Sequence, residues 1–167
     1  RARCGARAAR PRYDTVCQVI QSACLEILAV GGDAAPWHNA LAPLGVKSAD
    51  AARLRALIDG TPFASDAEIP LSRRRVLLRA AVHAFFQQLV DRRGASVLLD
   101  DVHLADVPSL DLFAEVAARL GAARFLILAA SRPAQGERVL PLARRAVLGP
   151  MESKDLQAVA AQAIAAA

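Results

Sequence analysis

Aromatic residues are scarce: one Trp, one Tyr and five Phe make up 4% of the chain. A core must therefore be built from aliphatic side chains around those few rings. Lysine is nearly absent as well, with Lys47 and Lys154 alone, so the net charge of +5 is an arginine charge. No apolar run approaches the ~18 residues of a membrane span. The opening "RARCGARAAR" has no apolar segment behind its charges, so neither a spanning helix nor a secretory leader is expected and the cytoplasm is the expected compartment. Cysteines are few and odd in number (Cys4, Cys17 and Cys24), and none forms a CxxC pair. With His38, His83 and His103 scattered, a zinc site lacks ligands, and reduced, buried thiols are expected. The single methionine is Met151. Without an initiator Met, and with "AIAAA" ending without a cap, the chain reads as a piece of something longer.

What remains is ample for folding. Of 167 residues, 54% are hydrophobic and 22% charged, which points to one globular domain and not to disorder. The pI near 9.8 raises the question of nucleic acid. The arginine clusters Arg73–Arg75 and Arg92-Arg93 fall at opposite ends of one expected helix, with Arg144-Arg145 further on. A dominance of Ala and Arg reflects a biased genome better than a single basic surface, so direct nucleic-acid binding is disfavoured.

Hydrophobic spacing lays out the elements. Residues 1–13 fit a strand end and a loop. Val16, Ile20, Ala23, Ile27 and Val30 form a helical stripe over 14–30, with Asp14 as N-cap and Gly31-Gly32 as stop. Residues 31–47 read as a loop, and Ser48 or Asp50 can cap a short helix to Ile58. After a second loop, Ser72 caps a long helix over 73–92 carrying Leu78, Val82, Phe85, Phe86 and Leu89, ended by Arg92, Arg93 and Gly94. "SVLLD" is a strand; an apolar run without alternation suits burial on both faces. Asp106 caps the next helix, with Pro108 in its first turn and Leu110, Phe113, Ala117 and Leu120 inward. "RFLILAA" is a second such strand, "RRAVLGP" a third, and "MESKDLQAVAAQAI" a closing helix. The alternation predicts an α/β fold: a three-layer parallel sheet with helices on both faces.

Ligands of open α/β sheets bind beyond the carboxyl ends of the strands. Asp100 and Asp101 end one strand; Ser131-Arg132-Pro133 follow the other. Two carboxylates and a guanidinium suit Mg²⁺ and a phosphate. The competing reading leaves one aspartate capping a turn with Arg132 as its surface partner, and spacing alone does not separate the two.

"VLLDDVHLADVPSLDLFAEVAARL" and "RFLILAASRP" together resemble the Walker B and sensor 1 region of signal-transduction-type P-loop ATPases (the AAA/STAND-like domains of LuxR-type, adenylate-cyclase-linked and kinase-linked bacterial regulators). Asp100, Asp101, His103, Ala105, Asp106, Ser109 and Leu110 match the pattern; Leu104 replaces its usual Trp. The match covers residues 73–165, with 1–72 a weaker match, so 1–167 is expected to be a single partial ATPase domain. The resemblance implies Asp100 on the Mg²⁺ side, Asp101 as catalytic acid and Arg132 as the sensor of the γ-phosphate. It also implies ATP as ligand, and DNA-binding, cyclase or kinase effector domains on the same polypeptide as partners. His103 and Asp106 are given no chemistry: a turn residue and a helix cap account for them.

The phosphate loop, GxxxxGK[ST], is missing. "LAPLGVKSAD" keeps Lys47-Ser48 but has Leu41 and Val46 where glycines are required, and no strand precedes it. The expectation is a domain cut below its phosphate-loop strand, with poor ATP binding, a gap in its sheet and exposed apolar surface.

Overall fold

The computed structural model describes residues 2–3, 13–31, 36–63, 66, 68–121 and 124–132, with single positions at 144, 146, 148 and 149. In order come β1 (Ala2–Arg3), α1 (Asp14–Gly31), a 3₁₀ turn (Trp37–Ala40), α2 (Ser48–Ile58), α3 (Leu71–Arg93), β2 (Ala95–Asp100), a second 3₁₀ turn (Val102–Leu104), α4 (Val107–Leu120) and β3 (Phe125–Ala129). The strands form one parallel sheet in the order β1-β2-β3. Of the expected third strand over 144–150 only positions 144, 146, 148 and 149 are described, and none of them is in a strand; the expected closing helix over 151–164 lies outside the described residues.

The expected three-layer sheet is not what these residues form. Helices make up most of the described chain, and the strands are only two, six and five residues long. Val97 and Leu99 of β2 point into the core, whereas Ser96 and Leu98 are exposed. In β3, Phe125 and Ile127 pack on the core while Leu126 and Leu128 stand 58% and 60% exposed. The strands thus alternate, as a sheet covered on one face does. The apolar runs misled because Leu98, Leu126 and Leu128 are as hydrophobic as their inward neighbours. Among the described residues, the architecture is a helical layer on one face of a small parallel sheet.

Four of the five phenylalanines meet beneath that face. Phe86 makes edge-on contacts with Phe85, Phe113 and Phe125, centroids 5.4, 6.1 and 5.8 Å away. Edge-to-face stacking adds specificity to what is chiefly burial of area. Val16 and Ile20 of α1, Leu54 of α2, Val82 of α3 and Leu112 and Val116 of α4 complete a core that is fully enclosed at these positions.

Helix limits follow the expected pattern, but three caps differ. Ser72 and Ser48 lie within their helices; Pro70 and Lys47 hold the N-cap positions without a side-chain hydrogen bond. Proline's fixed φ suits a helix entry. At α1, Tyr13 precedes the helix at φ +67° and its carbonyl accepts the Cys17 N–H, so Asp14 sits in the first turn and pairs with Gln18 instead. The Lys47-Ser48 segment has no phosphate-loop geometry. Amides of Leu44, Gly45 and Val46 turn inward to Ala40, Ala42 and Leu41, and Leu41, Leu44 and Val46 are buried. No helix among the described residues is long and apolar enough to cross a membrane.

Candidate functional site at the carboxyl ends of the strands

Leu99 lies opposite Ala129 in the β2–β3 ladder. Beyond that pair, the Ala130 N–H donates to Leu99 O (2.8 Å), and the Val102 N–H donates to Ala130 O (2.9 Å). The two chain exits are thereby tied together. Asp100 and Asp101 leave β2, and Ser131 and Arg132 leave β3, at the same end of neighbouring parallel strands. Arg132 is exposed, and both aspartates are half-buried.

Asp101 adopts the left-handed conformation, φ 54° and ψ 45°. Aspartate tolerates this region better than most residues. Its N–H is held by Asp100 Oδ1 at 3.0 Å, and the following 3₁₀ turn starts from its carbonyl, which accepts the Leu104 N–H. The strand therefore turns sharply at the second aspartate. Backbone held in a sparsely populated region is common where a side chain is aimed for function.

The residues are hard oxygen donors, the set Mg²⁺ prefers. Among the described residues no group of three or more His, Cys, Asp or Glu is placed to hold a metal. A divalent cation here would have to complete its shell with ligand oxygens and water, as Mg²⁺ does beside a phosphate.

No family model, no curated protein and no solved structure matches this chain.

Asp106 accepts four hydrogen bonds at this end of the sheet. It caps α4, accepting the Ser109 N–H at 3.0 Å and the Ser109 hydroxyl at 2.7 Å. Its two oxygens also accept the N–H of Tyr13 (2.8 Å) and of Thr15 (3.1 Å), and Ser109 Oγ takes the Val16 N–H at 3.2 Å. One carboxylate and one hydroxyl thus satisfy the first-turn donors of two helices, α4 locally and α1 across the fold. Burial works to raise the Asp106 carboxyl, but the bonds from Ser109, Thr15 and Tyr13 prevail and hold it below the usual range. The sequence shows the α4 cap in "ADVPS"; Tyr13, Thr15 and Ser109 as its partners carry no local signal.

His103 sits in the 3₁₀ turn, with Nδ1 buried and no hydrogen-bond partner among the described residues. It is a turn residue, as expected. His83 lies elsewhere, between α3 and α4, with Nε2 3.7 Å from Glu115 Oε2. Cys17 and Cys24 are free thiols on α1. Burial pushes both up to about 12, aided at Cys17 by the Asp14 and Asp106 charges, so neither is a nucleophile near neutral pH. Cys4 lies outside the described residues.

Proposed function

We propose that this chain is the Mg²⁺- and γ-phosphate-facing part of an ATP-dependent regulatory switch in a cytoplasmic bacterial signalling or transcription-regulator protein. The observation that carries the reading is the common exit of Asp100-Asp101 and Ser131-Arg132 from adjacent parallel strands. Asp100 would hold Mg²⁺, directly or through water. Asp101 would orient, or take a proton from, the water aimed at the phosphorus. Arg132 would neutralise charge on the terminal phosphate. The cation, when bound, supplies charge neutralisation on the phosphates. Switches of this type convert the presence of a γ-phosphate into a change between two arrangements of the polypeptide, and effector domains on the same chain are the expected partners.

No GxxxxGK[ST] loop occurs in these 167 residues, so the phosphate cradle has to be supplied from outside them, and the chain alone should bind ATP weakly. In a longer chain that carries such a loop, Asp101→Asn should abolish ATP turnover while leaving ATP affinity within about twofold of the parent. Turnover that survives the substitution refutes the role given to Asp101. The absence of the loop also favours a second reading, a non-hydrolysing scaffold; a parent reading frame with no GK[ST] segment decides for it. A basic nucleic-acid module is the weaker alternative. α3 is 23 residues long, so Arg73–Arg75 and Arg92-Arg93 stand about 30 Å apart at its two ends. Salt-sensitive DNA binding that survives neutralisation of Asp100 and Asp101 would point to that alternative instead.

A further inference from the structure

Among the described residues, the non-glycine positions at positive φ are Tyr13 (67°) and Asp101 (54°). Neither is the glycine that adopts this conformation freely, so the surrounding structure has to hold both in place. One carboxylate links them. Asp106 Oδ1 accepts the Tyr13 N–H at 2.8 Å, and Oδ2 accepts the Thr15 N–H at 3.1 Å. Asp106 also ends the turn that Asp101 begins. Asp101 O accepts the Leu104 N–H at 2.8 Å, Val102 O accepts the Ala105 N–H at 3.0 Å, and Asp106 follows directly. The turn therefore has two anchors. At its entry the Val102 N–H donates to Ala130 O, just beyond β3. At its exit Asp106 fastens it to the start of α1 and, through Ser109, to α4. Val102 and Ala105, between the anchors, are each 2% exposed.

We propose that Asp106 is a positioning residue: through the turn over 101–105 it holds Asp101 in the left-handed conformation, and so fixes the direction of the Asp101 carboxylate. An aspartate in this region relaxes to right-handed or extended backbone unless its neighbours forbid it. The single hydrogen bond at Val102 fixes a point and not a direction, and the chain can pivot about it. Any change of φ and ψ at Asp101 swings the residues that follow, and Asp106 ties those residues to two helices. Asp106 acts here through the backbone and touches neither phosphate nor metal. What Asp101 does with its fixed direction rests on the reading given above, in which it faces the attacking water. The conformation itself needs no nucleotide.

The test reads the backbone of Asp101 by NMR in the full chain, without nucleotide. Positive φ brings a residue's own amide and α protons close together, so Asp101 should show strong cross-relaxation between them. In Asp106→Ala that signal should drop to the level of residues at negative φ, and amide exchange at Leu104 should quicken at least tenfold. Asp106→Asn keeps one acceptor oxygen and should give an intermediate change, which preserves the measurement if the alanine variant does not fold. Val116→Ala is the control for lost stability. It opens the buried face of α4 about two turns beyond Ser109 and should leave the Asp101 signal as it is. An unchanged Asp101 signal in the folded Asp106 variants overturns the proposal, as does an equal loss in Val116→Ala. In a longer chain that carries the phosphate loop, Asp106→Ala should lower kcat at least tenfold with the KM for ATP within about twofold. Full turnover there, with the Asp101 signal lost, would uphold the positioning and refute the role given to Asp101 in hydrolysis, so the two failures are separable.

Discussion

Replacing Asp106 with alanine removes one acceptor shared by two helix starts. Losing the α4 cap costs about 1 kcal/mol, as N-cap truncations do. The heavier cost is at α1. Thr15 is 1% exposed, and its N–H would be left without its carboxylate, a penalty of roughly 1–3 kcal/mol for a buried donor. Tyr13 is half-buried, so water can replace part of its bond; its backbone at φ +67° loses the tether that holds it there. The sum is roughly 3 kcal/mol, a large share of the 5–15 kcal/mol typical of a domain. In urea, at a slope of about 2 kcal/mol/M, the midpoint should fall by roughly 1–2 M. Asp106→Asn keeps one carbonyl oxygen and should fall between the two. The same carboxylate has a pH signature. Its folded-state pKa lies below the usual value, so its contribution is complete above about pH 4 and fades as the pH drops through the folded pKa. A midpoint for Asp106→Ala within 0.3 M of the parent, with unchanged amide exchange at Thr15 and Val16, would refute the bridging role.

Two further outcomes follow from the packing. Phe86→Ala empties the position where three other rings converge and should cost about 3–5 kcal/mol, measured by the same urea titration; a loss below 1 kcal/mol would mean that the cluster does not organise the core. His83 is held neutral by burial first, then by Arg119 and Arg79, all of which lower its pKa, while Arg79 engages both oxygens of nearby Glu115. The unfolded chain therefore binds the proton more readily, and stability should be full above about pH 6.5 and decline below it. His83→Gln should flatten the fall in melting temperature between pH 7.5 and 5.5; an unaltered slope counts against the assignment.

Local chemistry decided the helices. The stripes of α1, α3 and α4, the Gly94 stop and the Asp106 cap all follow from interactions within a few residues, where side-chain spacing and backbone capping act directly. The aspartate pair was legible for the same reason, since a short apolar run ending in "DD" marks a strand exit. Three features were decided only by tertiary structure. Which face of the sheet is covered depends on where α1, α3 and α4 pack, and "VLL" and "FLIL" offer equally apolar residues to both sides. That Arg132 and the aspartates leave the sheet at the same end depends on β2 and β3 being parallel neighbours, a pairing set by backbone hydrogen bonds that carry no residue identity. Asp106 reaches Tyr13 across 93 positions of sequence, and nothing in "RYDT" or "ADVPS" names the other. Sequence sets the donors and acceptors that each segment must satisfy; only the folded chain chooses which distant group satisfies them, because burial removes water as the alternative.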